Sequence, residues 1–221
     1  VAVAFARVSD PVALDGFIGK WRERWPEWAV AEVFVPAQQR QLVTAWFALL
    51  QELTDAAWAG DDPTPGSAKL GWWQEELQGW SLGRRRHPLG TVLQRHDAPW
   101  AELASALASL RASRDLPAGT GSALAALDIF AAAVAALERA LFIAENSAAG
   151  TANVAATLLA VHPRWSGRDA DHIRDLLAQW PVREGPRPRR IIAALARARL
   201  GRTTAVPAWR VLWTAWGAAR H

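Results

Sequence analysis

Carboxylates at helical spacing are the first residues in this 221-residue chain whose arrangement could do chemistry. Two acidic side chains at i and i+4 share one helix face, where they can hold a divalent cation between them. Glu23/Glu27 and Asp171/Asp175 have that spacing, and Glu52/Asp55 stand at i, i+3. Pro26 interrupts the first pair. Asp171-His172-Ile173-Arg174-Asp175 is uninterrupted, but Arg174 is placed to neutralise it as an ordinary ion pair. The candidate metal ligands are therefore Asp55, Asp171 and Asp175. The candidate catalytic groups are Glu52, Asp55, Arg174 and Asp175, each with a solvated helix face as the plain alternative. The five histidines share no metal-ligand spacing and cysteine is absent, so zinc and thiolate chemistry are not expected. Nucleophile elbow, phosphate-binding P-loop and dinucleotide fingerprint are likewise missing from the sequence.

The second chemical signal is basic. Residues 181–221 hold nine Arg against Glu184 alone, whereas the first 180 carry 16 basic and 20 acidic groups. An anionic partner is thus sought at the C-terminus. There Arg189, Arg190 and Arg197 flank an apolar strip of Ile191, Ile192 and Leu195. Trp209, Leu212, Trp213 and Trp216 follow at i, i+3, i+4, i+7, the pattern of a helix lying in a membrane interface. The expected membrane-surface residues are Arg189, Arg190, Arg197, Trp209, Trp213 and Trp216. Docking of both helices on the body of the protein is the alternative. Nucleic acid is not an expected partner, because no binding motif is present and the first 180 residues are acidic.

These groups have to be positioned by helices, since strand signals are almost missing. Val30 to Val35 is the one β-leaning run, in a context equally suited to helix. Pro36 opens a long helix to about Gly60, whose stripe of Leu42, Trp46, Leu49, Leu53 and Ala56 is wide enough to be buried on much of its circumference. The stretch from Gly60 to Gly66 reads as a loop, and Lys69 to Trp80 as a helix with Leu70, Trp73, Leu77 and Trp80 inward. Ser122 to about Val161 forms one long apolar helix, or two broken near Gly150. Pro186-Arg187-Pro188 reads as a connector between the helix ending near Trp180 and the last two helices. With no repeat and no domain linker, residues 1–221 form a single all-α bundle with a basic amphipathic segment at 181–221. No run of about 18 uncharged apolar residues occurs, and the chain reads as soluble.

Lys69-Leu70-Gly71-Trp72-Trp73-Gln74-Glu75-Glu76-Leu77, followed by His87-Pro88-Leu89, resembles a marker of the squalene/phytoene synthase family of head-to-head prenyl transferases. Phe34-Val35-Pro36-Ala37 to Arg40 and onward to Glu52 is similar to that family's first core helix, and Phe142 to Gly150 to its small-residue central helix. The resemblance covers roughly residues 12–160. It implies an isoprenoid-synthase-like bundle with a central cavity, and substrate-binding roles for Arg40, Phe47, Trp72, Trp73, Ala148 and Gly150. It also implies two DxxxD motifs that hold Mg²⁺ against a diphosphate. Here the first motif reads Thr54 and Trp58 at its two Asp positions, with Asp55 between them. The second is represented by Ile173-Arg174-Asp175, with Gln179 four residues on.

Degenerate Asp-rich motifs are similar to those of a divergent branch of the family, which includes a mitochondrial complex I assembly factor and its bacterial relatives. The expectation is a non-catalytic, cytoplasmic protein without cofactor, peripheral at the inner face of the membrane. Its partners are an isoprenoid or other lipid and an anionic membrane surface, or it assists assembly of a membrane complex. The alternative is an active Mg²⁺-dependent prenyl transferase that condenses two farnesyl or geranylgeranyl diphosphates with a rearranged carboxylate set.

Overall fold

The long apolar stripe beginning at Leu42 becomes the axis of the structure. In a computed structural model describing residues 11–142, 150–166 and 169–220, helix α3 (Arg40–Trp58) buries Leu42, Trp46, Leu49, Leu53 and Ala56 together with nearly every other residue it has. A helix buried all round needs neighbours on every side. Helix α1 (Pro11–Arg24) and α2 (Trp28–Ala31) lie before it in the chain, and α1 packs on α3. Helix α4 (Pro63–Ser81) also lies along α3.

Eight further α-helices follow in the described residues. They are α5 (Gly90–Leu93), α6 (Trp100–Ala112), α7 (Thr120–Leu141), α8 (Thr151–Val161), α9 (Pro163–Ser166), α10 (Ala170–Ala178), α11 (Arg187–Arg199) and α12 (Ala208–Ala219). Of these, α5 and α6 also touch α3. Contacts run from α4 to α6, α6 to α7, α7 to α8, α8 to α11 and α11 to α12. The chain is all-α: among the described residues there is no strand, and the β-leaning run from Val30 to Val35 is finished by a turn of 3₁₀ helix at Glu32–Phe34.

Two proline-rich stretches differ from the sequence expectation, for one reason. Pro63-Thr64-Pro65-Gly66 is the first turn of α4, not a loop. Asp62 caps it by accepting from the Thr64 N–H at 2.8 Å, and prolines at the start of a helix remove only N–H groups that have no partner there. Gly66 is needed for packing: a Cβ there would stand 2.2 Å from the Ala56 carbonyl oxygen of α3. Likewise Pro186-Arg187-Pro188 is not a connector, since α11 starts at Arg187 with Pro188 in its first turn.

Helix α7 is long and apolar enough to cross a membrane by length and composition, but Leu127, Phe130, Val134 and Leu137 are buried in the core against α6 and α8. The chain reaches α8 at Gly150, whose φ of 72° favours glycine. It sits against Gly185, so that a Cβ at Gly150 would come 2.9 Å from the Gly185 Cα.

Candidate functional site

Glu52 and Asp55, one turn apart on α3, are already engaged by the protein's own cations. Glu52 is buried and accepts from the Nζ of Lys20 on α1 and of Lys69 on α4, each at 2.7 Å. These are the only two lysines in the chain. Asp55 accepts from Arg24 at 2.6 Å, with Lys20 Nζ 3.7 Å away. Burial pushes the Glu52 carboxyl up, but the two lysines outweigh it and hold the group below its ordinary value. The pair therefore ties α1 and α4 to α3.

Asp171 and Arg174 form an exposed ion pair at 2.6 Å within α10, and Asp175 is exposed on the same helix. Asp55 borders a cavity of about 410 Å³ that neither Asp171 nor Asp175 lines. Glu23 and Glu27 do not share a helix face either, because α1 ends at Arg24. Glu27 is buried and takes a forked bond from Arg199 of α11, whose guanidinium also lies 4.1 Å over the Trp25 ring. Among the described residues, no three His, Cys, Asp or Glu side chains come together to hold a metal ion.

The 410 Å³ cavity is an apolar-walled recess. Trp21, Trp25, Phe47, Trp58, Leu158 and Ile192 give it aromatic and aliphatic walls from α1, the turn that follows it, α3, α8 and α11. Phe47, a residue the resemblance put at the substrate, is brought there, stacked on Trp21 with centroids 5.6 Å apart. Arg24, Gln51, Thr54, Asp55, Thr157 and Arg189 supply the polar part of its wall. Thr54 returns its hydroxyl to the carbonyls of Leu50 and Gln51, while Gln51 Oε1 is buried without a donor.

Trp72 and Trp73 are elsewhere. Trp73 is buried, its ring centroid 4.5 Å from that of His87 and 5.1 Å from that of Trp72, and Phe17 closes the far side of His87 at 4.4 Å. Neither tryptophan lines the cavity. Burial drives the His87 pKa down to about 4, so its ring is neutral among these aromatics, although Glu52 and Glu76 pull the other way. Arg40 donates to the Val35 carbonyl at 3.1 Å and borders a separate shallow groove with Arg187, Arg220 and Trp216. Gly150 acts at the α8 start as described above, and Ala148 lies outside the described residues.

The C-terminal candidates divide. Trp209, Trp213 and Trp216 stand 66%, 60% and 40% exposed on one face of α12, with Leu212 between them, while Val211, Ala215 and Ala218 pack inward. Arg197 is exposed on α11. Arg190 is half-buried and docks the end of α12, donating to the carbonyls of Ala218 at 3.0 Å and Gly185 at 2.9 Å. Arg189 corrects the membrane-surface expectation. Its side chain is buried, forks onto both oxygens of Glu138 on α7, and lies 5.4 Å from the Phe47 ring. Glu138 is itself fully buried and accepts from Trp46 Nε1 at 2.7 Å, so a charge pair and an indole join α3, α7 and α11.

Sequence reasoning missed two acids with structural work to do. Glu138 stands nearly alone in the apolar run from Leu124 to Ala144, and an acid in such a run signals a buried partner. Glu76 accepts from the backbone N–H of Arg86 at 2.6 Å and of His87 at 2.8 Å, from Arg86 Nε and from Trp80 Nε1. Burial raises its pKa, and those four bonds bring it below the ordinary value. Arg84-Arg85-Arg86 thus belongs to a turn that folds around Glu76. Compared with family models, with curated proteins and with solved structures, the chain matches none.

Proposed function

We propose that this chain is a non-catalytic lipid-binding protein of the membrane surface, with an isoprenoid-synthase-like bundle as its scaffold. The observation that carries the reading is the outward face of α12. Three tryptophans and a leucine at helical spacing face solvent, beside the basic α11. Indole rings are favoured at the depth of lipid headgroups, and neighbouring arginines favour an anionic leaflet. The protein would then be peripheral at the inner, cytoplasmic face of a membrane, with the walls of Trp21, Trp25, Phe47 and Trp58 taking an isoprenoid or another apolar chain.

Ion pairing of the carboxylates supports the non-catalytic part. A Mg²⁺ ion at Glu52 or Asp55 would compete with Lys20, Lys69 and Arg24 for the same oxygens. Mg²⁺-dependent release of pyrophosphate from farnesyl or geranylgeranyl diphosphate, abolished by Asp55→Ala, would overturn it in favour of a prenyl transferase.

The membrane part is tested by co-sedimentation with phosphatidylcholine vesicles, with and without phosphatidylglycerol. Deleting residues 181–221 is the wrong perturbation, because Ile191, Ile192 and Leu195 of α11 are core residues. Trp209→Ala/Trp213→Ala/Trp216→Ala changes only exposed side chains. Each tryptophan is expected to contribute roughly 1.5 kcal/mol, about tenfold in partitioning. Equal binding by the triple variant, or no binding by the parent, sinks the proposal. If the parent ignores vesicles, the α12 face is then to be examined as a docking surface for a membrane-complex subunit.

A further inference from the structure

Between the last turn of α10, helix α11 and helix α12 lies a half-open cleft of about 420 Å³ into which five arginines converge: Arg183, Arg190, Arg197, Arg202 and Arg210. No acidic side chain lines it. None of the five takes part in an ion pair among the described residues, although Arg189 and Arg199 of the same α11 are both paired with buried glutamates. Arg183 and Arg190 are held in place by neutral acceptors, the carbonyls of Gly217 at 2.9 Å and of Ala218 and Gly185. Their positions are fixed, and no carboxylate among the described residues answers their charges. The guanidinium groups of Arg197, Arg202 and Arg210 have no hydrogen bond to any described residue.

We infer that this cleft is a binding site for an organic phosphate bearing at least two negative charges, a phosphate monoester or a diphosphate. Like charges gathered in one cleft repel one another, and a bound anion of matching charge relieves that repulsion. A lone carboxylate would leave most of the five unbalanced. Planar guanidinium forks match the spacing of phosphate oxygens, and the Thr214 hydroxyl adds another donor at the wall. Leu177, Trp180 and Leu200 complete the cleft with apolar surface suited to whatever the phosphate esterifies.

The cleft also borders the tryptophan face. Arg210 and Thr214 each follow a tryptophan of that face by one residue, about 100° around α12. A phosphate headgroup could therefore enter from a membrane on which Trp209 and Trp213 rest. Only this choice of source rests on the membrane proposal; the arginine cluster stands without it.

Titration calorimetry of the full chain with inorganic pyrophosphate tests the site. Arg197→Gln/Arg202→Gln removes two partnerless groups and is expected to weaken binding by about tenfold or more. Arg111→Gln/Arg139→Gln removes the same charge from exposed positions elsewhere and is expected to bind as the parent does. Absence of pyrophosphate binding, or an equal loss in both variants, overturns the inference.

Vesicles of phosphatidic acid and of phosphatidylglycerol, matched in surface charge, then identify the source. A preference for the phosphomonoester lipid that disappears in Arg197→Gln/Arg202→Gln supports a headgroup. Intact pyrophosphate binding without that preference supports a soluble phosphate in the same cleft. Failure of every vesicle to bind refutes the membrane proposal alone, because the pyrophosphate titration still decides the site.

Discussion

Around α1, α3 and α4 the cations Lys20, Arg22, Arg24 and Lys69 each meet a carboxylate, whereas the five arginines of the cleft between α11 and α12 meet none among the described residues. Lys20 and Lys69 close on Glu52, Arg24 on Asp55 and Arg22 on Glu32. Those pairs join elements distant in sequence and leave little charge over. The arginines of the cleft join little beyond the chain ends of α12, and their charge remains available. A residue type alone does not distinguish the two regions; whether its charge is answered inside the protein does. Paired cations here are architecture, and unanswered ones are where a ligand is to be sought.

The severest test of that contrast is at Arg189, a paired cation inside the basic segment itself. Arg189→Ala leaves Glu138 buried and charged without its partner, a change that typically costs about 3–5 kcal/mol. Urea unfolding followed by tryptophan fluorescence measures it. Replacing both partners, as Glu138→Leu/Arg189→Met, is expected to cost less than either single change, with Trp46 Nε1 then the group left without an acceptor. A cost below about 1 kcal/mol for Arg189→Ala would mean that pairing is not what separates architecture from site.

The next effect is smaller and concerns neutral groups among the charged ones. His162, buried against the Trp58 ring at 4.6 Å, has its pKa driven down to about 4 by burial, despite a bond to the Ser113 carbonyl. Arg164 and Arg114 lower it further and Asp115 raises it. Between pH 6.5 and 4 the unfolded chain binds a proton at this position and the native chain does not. Stability is therefore fully present above pH 6.5 and is lost as pH falls through that window, by about 3 kcal/mol at this one residue. His87 adds a loss of the same sign over the same window. His162→Gln is expected to reduce the dependence above pH 5 to the part due to His87, in a range where the depressed carboxylates Glu52 and Glu76 contribute little to it. An unchanged slope would show that His162 is not the titrating group.

How far these features can be read without coordinates depends on their range. The α3 stripe, the inward face of α4 and the outward tryptophans of α12 are periodic, and periodicity is local information. Helix starts at Pro63 and Arg187 are also local, but proline composition reads as loop unless the cap is recognised, as Asp62 shows. The Glu138–Arg189 pair spans 51 residues and the Lys20–Glu52 pair 32, and such partners are chosen by topology rather than by spacing. Arginine counts reveal that the C-terminal segment is basic. Which arginine is buried and which five share a cleft is decided by how α11 turns between α8 and α12. Asp55 and Asp175 looked like halves of one site because a resemblance placed them so; the cavity at Asp55 has no lining from Asp175.

The smallest expected effect separates the two regions most sharply, because one charge change should have opposite signs in each. Lys20→Gln/Lys69→Gln removes two positive charges and leaves Glu52 buried with no cation of its own. With both lysines about half exposed, the loss is expected at about 1–2 kcal/mol. Arg197→Gln/Arg202→Gln also removes two positive charges, but here the change relieves repulsion, and a gain of about 0.5 kcal/mol is expected without ligand. Added salt screens exposed charges within about 10 Å, so that gain should shrink as ionic strength rises while most of the loss at Glu52 persists. Thermal unfolding of the two double variants at low and high salt measures both. A loss in each would mean that the cleft arginines, like the lysines, are held by interactions that stabilise the fold. A gain confined to the cleft would mean that its charges are kept together against the interest of stability, as expected of groups retained for a ligand.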